Sequence, residues 1–198
     1  MKPLLLAIAF SVLGAAASSA EWARVSIAYV EGSVYVDGKP LQRLEAELPV
    51  KNGSVVHTEK GRAEVVFGRG DTVFLDENSS VRSNHDFNAN SGGIEIVTGS
   101  AIVITGEVGS AVRCEETVHL SDAGIFRFDV HGPADEKFCK VRVYKGAAAA
   151  QMPSYVWVLT PGKMIDLNRL CGDHTPRFEF KIEDLDGLDR WSRERAGK

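Results

Sequence analysis

Apolar residues recur at every second position in run after run of this chain. Phe126-Arg127-Phe128-Asp129-Val130 sets Phe126, Phe128 and Val130 on one side and charges on the other. Lys140-Val141-Arg142-Val143-Tyr144 and Phe178-Glu179-Phe180-Lys181-Ile182 repeat the rhythm, and Val34-Tyr35-Val36 and Val118-His119-Leu120 are shorter versions. A period of two is the pleat of a strand with one buried face. Val65-Val66-Phe67, Val73-Phe74-Leu75, Ile102-Val103-Ile104 and Val156-Trp157-Val158-Leu159 are apolar at consecutive positions, which predicts central or doubly covered strands.

Glycine-centred segments separate these runs: Glu31-Gly32-Ser33, Gly68-Arg69-Gly70-Asp71, Thr98-Gly99-Ser100, Asp122-Ala123-Gly124 and Pro161-Gly162. Glycine accepts the positive φ of tight turns, so the chain reads as a series of hairpins. The turn glycines fall 38, 29 and 25 residues apart from Gly32 through Gly70 and Gly99 to Gly124, too unevenly for a solenoid of equal rungs. The expected fold class is all-β: an irregular antiparallel β sandwich or roll of hairpins, with one short C-terminal α-helix.

Two stretches depart from the alternation. Residues 83–93 are polar and read as an exposed loop. Residues 183–196 read as the helix, with Ile182, Leu185, Leu188 and Trp191 three apart on one stripe. Glu183, Asp184 and Asp186 lie in its expected first turn and Arg190, Arg193 and Arg195 in its last, the polarity that suits the helix dipole. The helix is expected to pack as a lid on the sheet; the rival reading makes it a docking helix for a partner.

The N-terminus follows a different rule. Lys2 precedes an apolar run over residues 4–17, and Ala17-Ser18-Ser19-Ala20 places small residues before polar Glu21. That layout is a secretory signal peptide, with cleavage expected after Ala20. As an uncleaved anchor, fourteen helical residues would reach roughly 21 Å, short of the ~30 Å hydrocarbon core. No transmembrane segment is expected after signal removal. The organisation is therefore 1–20 signal peptide, 21–180 β domain and 181–198 C-terminal amphipathic helix, with a periplasmic or secreted location.

Cleavage leaves 178 residues, one ordinary domain, and 44% hydrophobic content suffices for a core. Removal of Lys2 takes the net charge from −4 to −5, and no basic cluster stands out, so nucleic acid is not an expected partner. Cys114, Cys139 and Cys171 give an odd count, for which an exported chain predicts one disulfide and one remaining thiol. Cys114 shares parity with Val112, Val118 and Leu120, and Cys139 with Val141 and Val143, so both point inward. Cys114 and Cys139 are the candidate pair; the alternative is three small buried apolar residues.

Catalytic chemistry is not evident. There is no G-x-S-x-G elbow, and His57, His85, His119, His131 and His174 are scattered. His119, Ser121 and Asp122 lie close in sequence but read as a solvated hairpin end. Asp71, Asp76 and Glu77, or His85 and Asp86, lack the spacing of an EF-hand or zincin. Arg69-Gly70-Asp71 is ordinary turn material as well as an adhesion tripeptide. Tyr29, Tyr35, Tyr144, Tyr155 and Trp157 lie on expected strands; those on the outer face are binding candidates, most are expected in the core, and none is assigned as a binding residue. No catalytic, metal or cofactor-binding residue is assigned, no cofactor is expected, and the chain is not expected to be an enzyme.

The order of signals over residues 53–167 resembles the FecR-type domain. Gly53-Ser54-Val55-Val56-His57-Thr58 is similar to that family's opening G-x-x-V-x-T. Gly61-Arg62-Ala63-Glu64-Val65-Val66-Phe67, Gly70-Asp71-Thr72-Val73-Phe74-Leu75 and Asn78-Ser79-Ser80-Val81 follow in order. Ile94-Glu95-Ile96-Val97-Thr98-Gly99-Ser100-Ala101 is similar to its strand-glycine-strand unit, Val141-Arg142-Val143-Tyr144-Lys145-Gly146-Ala147 to its V-x-V-x-x-G strand, and Thr160-Pro161-Gly162-Lys163 to its closing turn.

The resemblance implies an extracytoplasmic all-β domain. The best-known members are inner-membrane regulators whose β domain contacts the signalling domain of an outer-membrane receptor, while a cytoplasmic segment controls a sigma factor. This chain departs from that plan, with a signal peptide where the cytoplasmic segment and membrane helix would be. Gly124-Ile125-Phe126-Arg127 also replaces the family's G-T-x-F. The expected function is a non-catalytic binding or sensing module in the bacterial cell envelope, with an envelope receptor, a transport component or a cell-wall polymer as partner. The alternative is a structural, cell-wall-associated protein.

Overall fold

Two long strands, each carrying a glycine at positive φ, organise the chain. The structure, a computed structural model, describes residues 25–68, 70–84, 93–106, 110–121, 123–133, 137–152, 154–167 and 177–197. The expected signal peptide, most of the polar 83–93 loop, and Arg69, His85, Asp86, Asp122, Cys171 and His174 lie outside the described residues.

Strand β1 (Val25–Val36) turns through Asp37 and Gly38, both at positive φ (50° and 75°), into β2 (Lys39–Leu41), as a two-residue hairpin requires. β3 (Leu48–Val50) pairs with the start of β1, and β4 (Val55–Phe67) runs antiparallel along its other edge. β5 (Asp71–Leu75) and β6 (Ser80–Asn84) each bridge β4 to β7 (Gly93–Thr105).

At Gly99 the sheet forks. Before it, β7 pairs with β6 and, in parallel, with β8 (Ser110–Arg113); after it, with β5 and β10 (Gly124–His131). The first wing continues through β9 (Thr117–Leu120) to β12 (Ala148–Gln151) and β13 (Val156–Leu159). The second continues through β11 (Phe138–Lys145) to β14 (Lys163–Leu167) and β15 (Arg177–Glu179). Gly99 sits at φ +84°, and a Cβ there would lie 2.6 Å from the Ser79 Cα, so a side chain would drive the fork apart.

The wings close on one hydrophobic core, the sandwich-like roll that alternation predicts. Val112, Val118 and Leu120 of the first wing share a buried cluster with Phe126, Phe128 and Val141 of the second. Cys114 and Cys139 are disulfide-bonded between the wings, with Cα atoms 5.9 Å apart.

Three local expectations need correction. Gly32 and Gly99 are not hairpin turns but kinks inside the continuous strands β1 and β7. Val156-Trp157-Val158-Leu159 is not doubly covered: β13 ends its wing, and Val156 and Val158 are 49% and 66% exposed. The helix α1 (Gly187–Ala196) starts four residues later than expected, because Asp186 takes the N-cap. Ile182 and Leu185 therefore precede the helix, while Leu188 and Trp191 pack against Phe74 and Ile102 on the outer face of the sheet.

Candidate functional site

The outer edge of β1 is closed at both ends and open in the middle. β3 covers residues 25–27 and β2 covers residues 34–36, and no described strand pairs there with residues 28–33. The chain linking β2 to β3 arches across this gap, leaving a groove of about 820 Å³ between residues 28–32 and residues 41–44. That volume is in the range of small-ligand sites.

The kink in β1 lies along the groove. The register slips between Ile27 and Tyr29 and again between Gly32 and Val34, and such bulges re-aim side chains beside functional sites. Gly32 faces Gly61 across the strands at φ +67°, where a Cβ would meet the Lys60 carbonyl oxygen at 2.2 Å. Val30, Leu41 and Leu44 pack inward on the core. On the outer side the Tyr29 hydroxyl donates to Glu31 at 3.3 Å, and the Arg195 guanidinium of α1 stacks 3.9 Å over the Tyr29 ring. The groove thus offers an apolar floor, one aromatic face and the charges of Glu31 and Arg43.

A second cluster fixes α1 beside it. Arg127 of β10 is 8% exposed; it donates to Asp129 at 3.0 Å, to Asp186 at 2.6 Å and to Asp189 at 2.9 Å. Asp129 also accepts from Arg142 at 2.6 Å and from the Ser100 hydroxyl at 2.7 Å. Burial disfavours the charge on Arg127, but Asp129 and Asp186 outweigh it and hold its pKa above the ordinary value. Burial and the Asp189 carboxylate push the Tyr144 phenol up to about 12. Burial alone would raise Asp186; the Asp189 amide and Arg127 outweigh it and leave the carboxyl below its usual range.

Beside this network lies a cleft of about 270 Å³ that includes Tyr144, Phe180, Lys181 and Asp184. Arg127 and Arg142, which also line it, are already engaged by carboxylates, so the cluster reads as the mount of the helix.

The singled-out residues are dispersed. His119 lies on the outer face of β9 opposite Ala111 and Ala149, and the Ser121 amide donates to the Ala147 carbonyl. Asp71 is buried, accepting from the Gly106 amide and the Ser110 hydroxyl, which removes it from any exposed adhesion tip. Asp76 pairs with Arg62 at 2.9 Å. Among the described residues no group of three or more His, Cys, Asp or Glu is placed to hold a metal.

Sequence reading missed one suggestive pair. His57 Nδ1 and Ser80 Oγ stand 2.9 Å apart on β4 and β6, directly opposite in register. A nucleophile needs an oriented base and room for substrate. Ser80 is 7% exposed, and the His57 ring lies against Tyr35, with centroids 6.2 Å apart. The pair reads as a cross-strand hydrogen bond. Strand spacing alone could not have found it, because β5 separates β4 from β6 along the sequence.

No protein-family model matches the chain, and no curated protein matches it. Two crystal structures of proteins provisionally designated anti-sigma factors from Parabacteroides distasonis share its fold. One is 19% identical with a TM-score of 0.53, covering 65% of this chain and 61% of that one. The other is 20% identical with a TM-score of 0.51, covering 68% and 60%. This chain spans about three fifths of the length of both structures, and at such identity the likeness is one of fold.

Proposed function

We propose that this chain is an exported, FecR-like β domain that binds a protein of the bacterial cell envelope and takes part in envelope signalling without catalysing a reaction. The observation that carries this reading is the groove at the edge of β1, where a stretch that no described strand pairs, an apolar floor and an aromatic wall meet. Exposed β edges accept extended partner segments through main-chain hydrogen bonds, and flanking pockets supply selectivity. The likeness of fold to the designated anti-sigma factors supports a signalling context. The disulfide between Cys114 and Cys139 is compatible with an oxidising compartment, and among the described residues no helix is long and apolar enough to cross a membrane.

The test is site-specific photo-cross-linking in cells from Gln42, in the groove, and from Lys181, in the cleft beside Arg127. An adduct with one envelope receptor or transport component from Gln42 but not Lys181 is expected. Identical adducts from both positions, or none, would defeat the reading. Co-sedimentation with purified peptidoglycan would instead favour the structural, wall-associated alternative.

A further inference from the structure

Among the described residues, four strands pair along one edge only: β2, β3, β13 and β15. Such an edge is a row of backbone donors and acceptors that templates another strand, and folded chains blunt it with proline or charge. Three of the four do so. β2 carries Lys39 and Pro40, β3 carries Pro49, and β15 carries Glu179. β13 carries neither, and its neighbour β12, Ala148-Ala149-Ala150-Gln151, is uncharged as well.

The side chains of β13 sort cleanly by face. Trp157 packs toward the core, edge to face with Tyr155 just before the strand, their centroids 5.1 Å apart. Val156 and Val158 point out, beside Gln151 and Ala149. The outer surface is low there, so nothing on β12 obstructs a strand laid alongside.

We propose that β13 is a homodimerisation edge, through which two copies of this chain pair antiparallel about a two-fold axis at Trp157. Directly opposed residues of an antiparallel pair share a face. Centring the pair on Trp157 sets Val156 of each copy against Val158 of the other, joining all four exposed valines, and sets Tyr155 against Leu159. A one-residue slip would oppose an outward valine to an inward ring, and the pleat forbids it. A second copy is the fitting occupant because the strand is self-complementary and neutral, so two chains of formal charge −4 approach where neither presents charge. A closed, isologous contact also caps the edge without starting a filament. Four residues of ladder fall short of the roughly 1,200 Å² of a lasting interface, so the dimer is reversible.

Sedimentation velocity from about 1 μM to about 1 mM, combined with amide exchange at both ends of that range, tests it; these concentrations span weak association. The expected result is a monomer–dimer equilibrium, with added protection at high concentration confined to residues 156–159. Val158→Lys, and separately Val156→Lys, should raise the dissociation constant at least about 10-fold, because lysine on an edge opposes pairing. Both positions are exposed, so the variants should keep the parent's melting temperature. A protein monomeric at about 1 mM overturns the proposal and leaves the edge to another chain. So does a dimer that survives Val158→Lys, or one that adds no protection in β13.

Discussion

Arg127 Nη1 donates to Asp189 Oδ2 at 2.9 Å, joining the middle of β10 to the first turn of α1 across 62 positions of sequence. Both residues are buried, and the same guanidinium holds Asp129 and the N-cap Asp186. One cation therefore serves three carboxylates and fixes the helix on the sheet.

Arg127→Met is expected to destabilise the fold by about 3–5 kcal/mol, because removing the cation leaves buried carboxylates uncompensated. Arg127→Lys should recover little, since a point charge cannot reach three acceptors as a planar fork does. Chemical denaturation checks both. Amide exchange should show α1 opening before the strands in the Met variant.

The alternation of β10 was legible; the cover on its second face was not. Phe126, Phe128 and Val130 turn inward as the period of two demands. Arg127 and Asp129 occupy the polar phase, yet they are buried, because α1 returns over them from sixty residues away. Pattern reports which face a residue occupies, not what later lies on that face. For the same reason β13 read as a central strand: four apolar residues in a row look alike whether they are covered or waiting at an edge. The parallel pairing of β7 with β8 and the groove at β1 arise from long-range register, which local periodicity does not encode. The helix start was within reach, since Asp186 and Asp189 stand at capping-box spacing.

The disulfide closes a span of 25 residues and holds one wing to the other. Cys139→Ser, or reduction of the parent, should lower stability by about 3 kcal/mol, the loop-closure value for such a span. Urea unfolding with and without reductant measures it. Reductant should leave Cys139→Ser unchanged, which separates the bond from other effects of thiols.

Gly99→Ala should be worse than an ordinary strand substitution. The left-handed backbone disfavours alanine by about 1 kcal/mol, and the added Cβ meets the Ser79 backbone, which cannot swing aside as a side chain could. The expected loss exceeds that of Ala149→Gly on the outer face of β12, which gains freedom but meets no clash. Comparing the two melting temperatures decides the matter.

The helix mount also sets an acid response. The Asp186 pKa is depressed in the folded protein, chiefly by the Asp189 amide and Arg127 against the opposing effect of burial. A carboxyl whose folded value lies below its unfolded one gives stability that is fully present above the unfolded value, near pH 4, and is lost as pH falls through the folded value. Melting temperature should therefore drop as the solution is taken from about pH 5 toward pH 2. Asp186→Asn separates charge from cap, because asparagine caps a helix nearly as well as aspartate but does not titrate. The variant should melt below the parent at neutral pH, show a shallower acid slope, and converge with the parent at the acid end. Parallel curves would mean that Asp186 acts on α1 through its hydrogen bonds alone and that its pairing with Arg127 contributes nothing.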